Sequence, residues 1–363
     1  VQSLEDRNET EPQMGPYEMR EVSGTQVIFS LFARGSALRS RYVLVQSVLI
    51  VLLYIVLTIC WLVLVPWTSN LDAASILYLS SYMNGFLPFF FALYINTNFS
   101  RWWAMRTQGL GAIYKACDEN CMLMATFCPD EKFLPQREAL ICWCRALHAL
   151  VFQLARHEED LQLLVREQLL TEEECKALLG SSGCKARLVW QWILDMWHDL
   201  YKEAAIDRKV LQDAIRSICE GRQGVQVCFT FVTCQIPYTW LHLMSFIIGL
   251  NAFVLAIKCS IYSAKIIGDI ENHETCQFAF STGLVCHDEA IDNGVRLLSQ
   301  AIQAGITPFV HLAFMEFATN LANPFEDDTT DFPMKLYEKN LAAQLKGYFE
   351  VKGSRLKPKT QPS

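Results

Sequence analysis

The feature that most constrains this chain is a long uncharged run near its start, from Tyr42 to Trp67. It reads YVLVQSVLIVLLYIVLTICWLVLVPW, and its polar residues are Gln46, Ser47 and Thr58. About 20 apolar residues are enough for an α-helix to cross the hydrocarbon core of a bilayer. The run therefore predicts a transmembrane helix with length to spare for tilt.

Three further apolar runs have the length of a span: Ala74 to Phe99, Val227 to Ile257 and Val295 to Leu321. The run from Ala74 is also uncharged, but it carries polar side chains that include Asn84 and Asn96. Polar groups are expensive when they face lipid, so this part of the second span is expected to face protein or water. The sequence therefore predicts four transmembrane helices.

A sizeable soluble part accompanies these spans, because 19% of the residues are charged although 52% are hydrophobic. Residues 104–225 are charged, show helical periodicity and contain few helix breakers. Within them, Thr171 to Glu174 fits a capping box at the start of a helix. The predicted segments are a polar arm at 1–26, a first transmembrane pair in 27–103, a cytosolic helical domain at 104–225, a second transmembrane pair in 226–322 with a non-cytosolic loop at 259–291, and an acidic motif with a basic tail at 323–363.

Basic residues near the ends of the spans predict the orientation of the chain. They precede the first span, follow the second, precede the third and follow the fourth, whereas the short loop 68–73 has none. Both termini and the helical domain are therefore expected on the cytosolic or stromal side of a multi-pass integral membrane protein. The sequence leaves open whether this is the plasma membrane or an organelle membrane such as the thylakoid.

The loop 259–291 is expected on the opposite side and contains Cys276 and Cys286. An oxidising compartment would favour a disulfide between them, and a reducing one would leave two free thiols. Both alternatives stay open at this stage.

Two classes of function are disfavoured by the sequence. The net charge of −7 argues against a nucleic-acid binder, because such proteins need basic groups to contact phosphates. His148, His157 and His198 lie in predicted helices without the Ser, Cys or carboxylate partners that set up a nucleophile. There is also no glycine-rich phosphate loop before a helix. We therefore expect that the chain is not an enzyme.

Several short stretches are similar to motifs of the bestrophin family. They are RGS at 34–36, LY at 93–94 with SRWW at 100–103, and NPFEDDTTDF at 323–332 followed by KNL at 339–341. An Ile-Pro pair at 236–237 also matches the family. The resemblance covers most of residues 19–341, and the acidic motif after the last span is its most specific part.

The resemblance implies a pentamer with four transmembrane helices per subunit around a central chloride-conducting pore. Three residues of the second span that form the narrow neck of the family's pore match Gly85, Phe89 and Leu93. Their spacing of i, i+4 and i+8 places them on one face of a helix. Phe89 fits the family pattern, whereas Gly85 and Leu93 depart from the bulky and aromatic residues usual there. Apolar rings gate by dewetting, and aromatic edges carry partial positive charge that suits an anion.

The resemblance also implies a calcium site near the membrane boundary. The carboxylate ligands match Asp328 and Asp331, and the backbone carbonyl donors match Met19, Asn320 and Asn323. Calcium prefers several hard oxygen ligands with carboxylates among them. Two threonines stand between the aspartates where animal relatives carry more acid, which weakens the field around the site.

A second constriction of the family, at the cytosolic exit of the pore, matches Lys209 beside Val210. Five lysines in a ring would raise the local concentration of anions. A shift of one residue in the match would put Arg208 or Val210 at this position instead. The alternative to this role is an exposed lysine on a helix.

The function expected from the sequence is therefore an anion channel for chloride or another small anion such as bicarbonate or nitrate, gated by calcium. Its expected partners are the lipid bilayer and further copies of the chain in a homopentamer, or related subunits in a hetero-oligomer. The alternative is a non-conducting structural subunit that keeps the bestrophin scaffold inside a larger complex.

Overall fold

The computed structural model describes residues 40–64, 74–158, 160–234, 236–276, 285–326 and 331–350. Within these ranges every regular element is helical, which confirms the predicted all-α class. The α-helices are α1 Arg41–Leu64, α2 Ala74–Ala104, α3 Gly111–Phe127, α4 Leu134–Ala155, α5 Leu161–Arg166, α6 Glu172–Leu179, α7 Lys185–Lys202, α8 Arg208–Thr233, α9 Tyr238–Cys276, α10 Val285–Asn320 and α11 Met334–Glu350. A π-helical segment, Met105–Leu110, joins α2 to α3, and a 3-10 turn, Glu131–Phe133, precedes α4.

The described chain divides into two compact units. The membrane unit comprises residues 40–99 and 236–321 and holds α1, most of α2, α9 and α10. The helical domain comprises residues 100–234 and 322–350 and holds α3 to α8 together with α11.

The interior of the membrane unit is formed by one face of each long helix. Leu87 and Phe91 of α2 are buried against Met244 of α9 and Leu312 of α10 in one apolar cluster. Some polar groups inside the unit are hydrogen-bonded to each other, as in the pair of Tyr54 and Ser263 hydroxyls at 2.8 Å. Helix packing inside a bilayer depends on such contacts because lipid is as apolar as the side chains themselves.

The core of the helical domain is centred on two tryptophans, Trp190 and Trp197, both fully buried. The Trp197 Nε1 donates to Asn120 Oδ1 at 2.7 Å, and the Asn120 amide nitrogen donates to Ser217 Oγ at 3.2 Å. A buried polar group is costly unless it is hydrogen-bonded. This satisfied network therefore ties α3, α7 and α8 together at one place in the core.

Glycines let α8 approach its neighbours at backbone distance. A Cβ on Gly221 would lie 2.3 Å from the ring of Trp190 and 2.9 Å from the Cβ of Ala116. A Cβ on Gly224 would lie 2.6 Å from the carbonyl oxygen of Gly109 in the π-helical segment. Close backbone approach of this kind requires a residue without a side chain.

The capping box predicted at the start of α6 is confirmed. The Thr171 hydroxyl accepts from the Glu174 backbone N–H at 3.2 Å, and the Glu174 carboxylate accepts from the Thr171 N–H at 2.8 Å. Both groups would otherwise be unsatisfied at a helix N-terminus. This local signal could be identified in the sequence because both partners lie within one turn.

The sequence predicted one transmembrane helix from residue 227 in the third apolar run, and this prediction was wrong. Instead α8 ends at Thr233 and α9 begins at Tyr238, directly after Pro237. Cys228 and Val232 of the predicted span are buried in the core of the helical domain. Proline lacks a backbone N–H and disfavours helix in the preceding residue, so the helix breaks there. Hydropathy alone does not distinguish a domain core from a membrane span.

Most of the predicted loop 259–291 is also helical. Helix α9 continues to Cys276, and α10 begins at Val285, well before the predicted start at residue 295. Charged residues end an apolar run without ending a helix, since they remain good helix formers outside the hydrocarbon. The side chains of Cys276 and Cys286 lie outside the described part of the structure, so their pairing stays a prediction.

The segment predicted as a basic tail contains a further helix, α11. Its Leu341 and Leu345 are buried in the core of the helical domain. The apolar positions of this helix alternate with lysines, so the sequence was interpreted as a basic tail and the amphipathic helix was not predicted. The predicted polar arm at 1–26 lies outside the described residues.

Among the described residues, five helices are long and apolar enough to cross a membrane. Four of them carry the predicted spans, and the fifth is Glu131–Ala155, which contains α4. Of its most apolar stretch 61% is buried inside the subunit, against 17% for Arg41–Val63. Helix α4 is therefore a core helix of the helical domain, and the four predicted transmembrane helices remain.

Candidate pore face and acidic loop

Helix α2 presents two different faces within the membrane unit. Leu87, Phe91, Tyr94 and Asn98 are buried and share one face, since they recur at i, i+4, i+7 and i+11. The Phe91 ring lies 5.2 Å from the His311 ring of α10. This face holds α2 in the subunit, which leaves the opposite face for other contacts.

The opposite face carries the three predicted neck residues. Phe89 and Leu93 are 59% and 44% exposed, and a Cβ on Gly85 would meet nothing within 4 Å. Tyr82 extends the same stripe by one turn and is 67% exposed. The structure thus places all three predicted residues together on a surface that the core of the subunit does not use. Their role as a pore neck stays a prediction.

This stripe of α2 changes character along its length, from aromatic at Tyr82 and Phe89 to polar at Asn96. Asn96 is exposed and lies two turns of helix beyond Phe89, on the same face. An exposed amide that faces lipid inside the hydrocarbon core is expensive. The combination therefore favours water or another protein subunit, and not lipid, as the environment of this face.

The asparagine on the flank of α2, Asn84, faces protein, which is one of the two environments predicted from the sequence. Asn84 Oδ1 accepts a hydrogen bond from the Asn251 amide nitrogen of α9 at 3.0 Å, within the membrane unit. Asn251 is fully buried. The polar residues of the second span are thus divided between contacts inside the subunit and the exposed stripe.

The acidic loop after α10 is anchored in the helical domain by two phenylalanines. Phe325 and Phe332 are buried, and their rings meet edge to face at 5.4 Å. The Phe332 N–H donates to the Pro324 carbonyl at 2.8 Å, which closes the loop at its base. The Arg156 guanidinium donates to the Phe325 carbonyl at 2.5 Å. These contacts fix both ends of the acidic run.

The predicted calcium ligands are only partly described by the structure. Asp331 belongs to the helical domain and is 5% exposed, so its carboxylate is held in a buried position beside Phe332. Asn323 lies on the same loop, and its side-chain amide donates to Glu326 Oε1 at 2.8 Å. Asn320 is the last residue of α10, and Met19 and Asp328 lie outside the described residues.

A buried carboxylate and a backbone carbonyl on one anchored loop are oxygen donors of the kind that a hard cation prefers. Among the described residues there is no group of three or more His, Cys, Asp or Glu side chains placed to hold a metal ion. The donor set that the sequence predicted is completed by residues outside the described ranges, so the calcium site stays a prediction.

The predicted exit residues begin α8. The Asp207 carboxylate accepts from the Val210 N–H at 2.9 Å and caps this helix. Lys209 and Arg208 are exposed, whereas Val210 is 4% exposed and packs in the core of the helical domain. Of the alternatives left open by the sequence, the two basic residues are thus the ones with free side chains. Their role at a pore exit is not decided by this placement.

The structural role of Arg101 was not predicted from the sequence. Its guanidinium donates to the carbonyls of Phe231 at 2.6 Å and Cys234 at 2.8 Å, at the C-terminal end of α8. The last carbonyls of a helix have no partner within the helix, and a cation also suits the negative end of the helix dipole. The motif SRWW showed that Arg101 mattered, but its partners lie far away in sequence.

Comparison with known proteins identifies the scaffold. The family model described as "Bestrophin, RFP-TM, chloride channel" matches residues 18–347. The chain belongs to the bestrophin family. Comparison with curated proteins found no match.

Solved bestrophin structures agree with this assignment. A bacterial bestrophin homologue from Klebsiella pneumoniae, solved by zinc phasing, shares 14% sequence identity with a TM-score of 0.66 and covers 85% of this chain and 98% of its own. A mutant of a Klebsiella pneumoniae bestrophin homologue shares 15% identity with a TM-score of 0.64, covering 85% of this chain and 99% of its own. At such identity the likeness establishes the fold. Together with the family match it supports a bestrophin-type anion channel in a membrane.

Proposed function

We propose that five copies of this bestrophin assemble around an axial pore and conduct chloride or another small anion such as bicarbonate or nitrate. The observation that carries this proposal is the exposed stripe of α2 from Tyr82 to Asn96. It is apolar and aromatic, then polar, and it is not used by the core of the subunit. A ring of such stripes gives a water-accessible wall without fixed negative charge.

The chemistry of the stripe favours anions. Edges of aromatic rings are partially positive, and Phe89 presents an exposed ring that packs against Phe86 at 6.5 Å between centroids. A narrow apolar ring can empty of water and thereby close the pore. Gly85 adds no side chain to its level of the neck, so Phe89 is the residue that we propose to set the narrowest point.

Planar-bilayer recording of the purified protein in a chloride gradient tests this function. We expect Phe89→Ala to raise the conductance, because the ring that narrows the pore is removed. The matched control is Phe246→Ala, which removes an equally exposed ring from α9. If native mass spectrometry shows intact pentamers and no current is recorded, the result would instead support the non-conducting structural subunit. A monomeric mass would contradict the axial pore.

We further propose that the acidic loop binds calcium through Asp331 and Asp328, with the carbonyl of Asn323. The support is the buried carboxylate of Asp331 on a loop whose ends are fixed by Phe325 and Phe332. A bound calcium ion would supply a divalent charge that holds several oxygen ligands together.

Calorimetric titration with calcium tests this site. We expect Asp331→Asn to lower the affinity about tenfold or more, since ligand charge sets calcium affinity. Asp130→Asn, an exposed carboxylate elsewhere in the helical domain, serves as the control. Equal calcium binding by both variants would contradict the assignment, and currents that do not depend on calcium would separate binding from gating.

A further inference from the structure

A groove on the surface of the helical domain is lined by none of the residues of the stripe or the acidic loop described above. It is formed by α4, α6 and α7 and has a volume of about 590 Å³. This volume is within the range of sites that hold small organic ligands. Its lining includes two tryptophans, Trp143 and Trp192, whose ring centroids are 6.1 Å apart. We call it the tryptophan groove.

The charge of the tryptophan groove has one sign. Of the described residues that line it, five are acidic and none is basic, and the acidic ones are Glu173, Glu174, Asp195, Asp199 and Glu203. Glu174 is used structurally, because its carboxylate accepts from Trp143 Nε1 at 2.6 Å and from the Thr171 N–H. That contact also fixes the ring of Trp143. The other four carboxylates leave a strongly negative surface for an occupant.

Three of these carboxylates form a regular row. Asp195, Asp199 and Glu203 follow one another at intervals of four residues along α7 and its C-terminal cap. Residues at this interval share a helix face and lie about 6 Å apart along the axis, since each residue rises about 1.5 Å. Local partners occupy the row only in part: Gln191 donates to one oxygen of Asp195 at 2.9 Å, and Lys202 donates to one oxygen of Asp199 at 3.1 Å.

One lining residue has a buried acceptor that lacks a donor. Gln136 lines the groove, and its Oε1 is buried without a hydrogen-bond partner among the described residues. A buried acceptor left unsatisfied is unfavourable. An N–H donor in the groove would relieve it if the Gln136 side chain turned toward the ligand.

We propose that the tryptophan groove binds a linear aliphatic polyamine. Its ammonium groups, spaced along the chain, would pair with the row from Asp195 to Glu203. Its methylene segments would lie against the rings of Trp143 and Trp192, and the ring quadrupoles would attract the neighbouring ammonium groups. A metal ion fits less well, because no group of three acidic or Cys or His side chains among the described residues is placed to hold one.

Calorimetric titration of the full-length protein in detergent tests this proposal, with spermidine as the probe. Butylamine and magnesium serve as comparison ligands. Butylamine has an aliphatic chain with a single ammonium group, and magnesium has multiple charge without an aliphatic chain. We expect saturable binding of one spermidine per subunit and much weaker binding of butylamine. Magnesium at the same concentration is expected to leave spermidine bound.

Two sets of variants separate the row from general charge. We expect Asp195→Asn with Asp199→Asn to weaken spermidine binding about tenfold or more, because two charge-assisted contacts are lost. The control carries the same change of charge on α8, Asp213→Asn with Glu220→Gln, and is expected to bind like the wild type. Thermal melting verifies that each variant is folded.

Two substitutions of Trp192 test the contribution of the aromatic rings to binding. We expect Trp192→Leu to weaken binding about threefold, as for loss of one cation–π contact, and Trp192→Phe to retain most of the affinity. Absence of saturable binding by the wild type overturns the proposal. So does an equal loss in the α8 control, or complete displacement of spermidine by magnesium, since either shows diffuse attraction. Binding is measured here without current, so this result is independent of whether the channel conducts.

Discussion

Helices α1 and α4 are both apolar enough to cross a bilayer, yet they have different surroundings. Of the most apolar stretch of α1 only 17% is buried within the subunit, whereas the stretch that contains α4 is 61% buried. Leu52 of α1 is 51% exposed, and Leu147 of α4 is fully buried. The comparison shows that burial by neighbouring helices, and not apolarity, separates a domain core from a surface that meets lipid or another subunit.

Helix α2 shows a third situation. Its most apolar stretch is as little buried as that of α1, at 17%, but its exposed stripe includes Asn96. The exposed face of α1 is made mostly of Val, Leu and Ile, which lipid accepts. This difference between two equally exposed helices supports the proposal that α2, and not α1, lines the pore.

The largest expected effect sharpens the comparison of α1 with α4. We expect Leu147→Ala to lower the free energy of unfolding by about 2–5 kcal/mol, because it leaves a cavity in a packed core. Leu52→Ala is expected to have a much smaller effect, since half of that side chain contacts no other part of the subunit. Thermal unfolding in detergent measures both. Equal losses would mean that α1 is also a core helix.

A second prediction concerns the residue next to Leu147. His148 is fully buried in the helical domain, and burial lowers its pKa from 6.5 to about 4 even though Glu338 opposes the shift. Its Nε2 donates to the Met334 carbonyl at 3.0 Å, and its Nδ1 accepts from the Tyr114 hydroxyl at 2.8 Å. Together these two hydrogen bonds require the neutral imidazole, in which one ring nitrogen donates and the other accepts.

Because the unfolded chain binds a proton at a higher pH than the folded one, stability falls as the pH drops from about 6.5 to about 4. The loss is expected to reach about 3 kcal/mol, and below that window it no longer grows. Unfolding free energies of the wild type and of His148→Gln, measured across this range, isolate the effect from that of the carboxylates. Identical pH dependence in both would contradict it.

A smaller effect tests the close packing in the helical domain. We expect Gly221→Ala to destabilise the protein by about 1–3 kcal/mol, because the added methyl overlaps the ring of Trp190. Gly347→Ala in α11 is the matched control, since nothing lies within 4 Å of a Cβ there. It is expected to be neutral or slightly stabilising through helix propensity. A neutral Gly221→Ala would show that α8 can move away from its neighbours.

The smallest expected effect concerns two adjacent residues of α8, one buried and one exposed, so that the contrast between α4 and α1 recurs within one turn of helix. Val210 is buried and Lys209 is exposed, so of these two only Lys209 has a side chain that solvent reaches. We expect Lys209→Glu to reduce the preference for anions over cations by a modest factor, because a positive ring concentrates anions. Lys176→Glu, an exposed lysine on α6, is the control. Unchanged reversal potentials in a salt gradient would contradict a role at the exit.

Local signals in the sequence were sufficient for several features. The uncharged run of α1, the capping box at Thr171 and the asparagines of α2 are each read within a few turns of one helix. The family motifs added the stripe with Gly85, Phe89 and Leu93, which the structure places on a single exposed face. Such features need no knowledge of distant partners, because their periodicity or spacing is itself the observation.

Other features depended on residues far apart in the chain. Only the tertiary structure showed that the apolar residues before Pro237 are core residues of the helical domain, that α11 packs on it, and that Arg101 caps α8. It also brought Trp143 and Trp192 together with acidic residues of α6 and α7 in one groove. The sequence by itself determined an all-helical membrane protein of the bestrophin type and its candidate pore helix. The structure decided which apolar surfaces are buried, because burial is a property of neighbours that hydropathy does not contain.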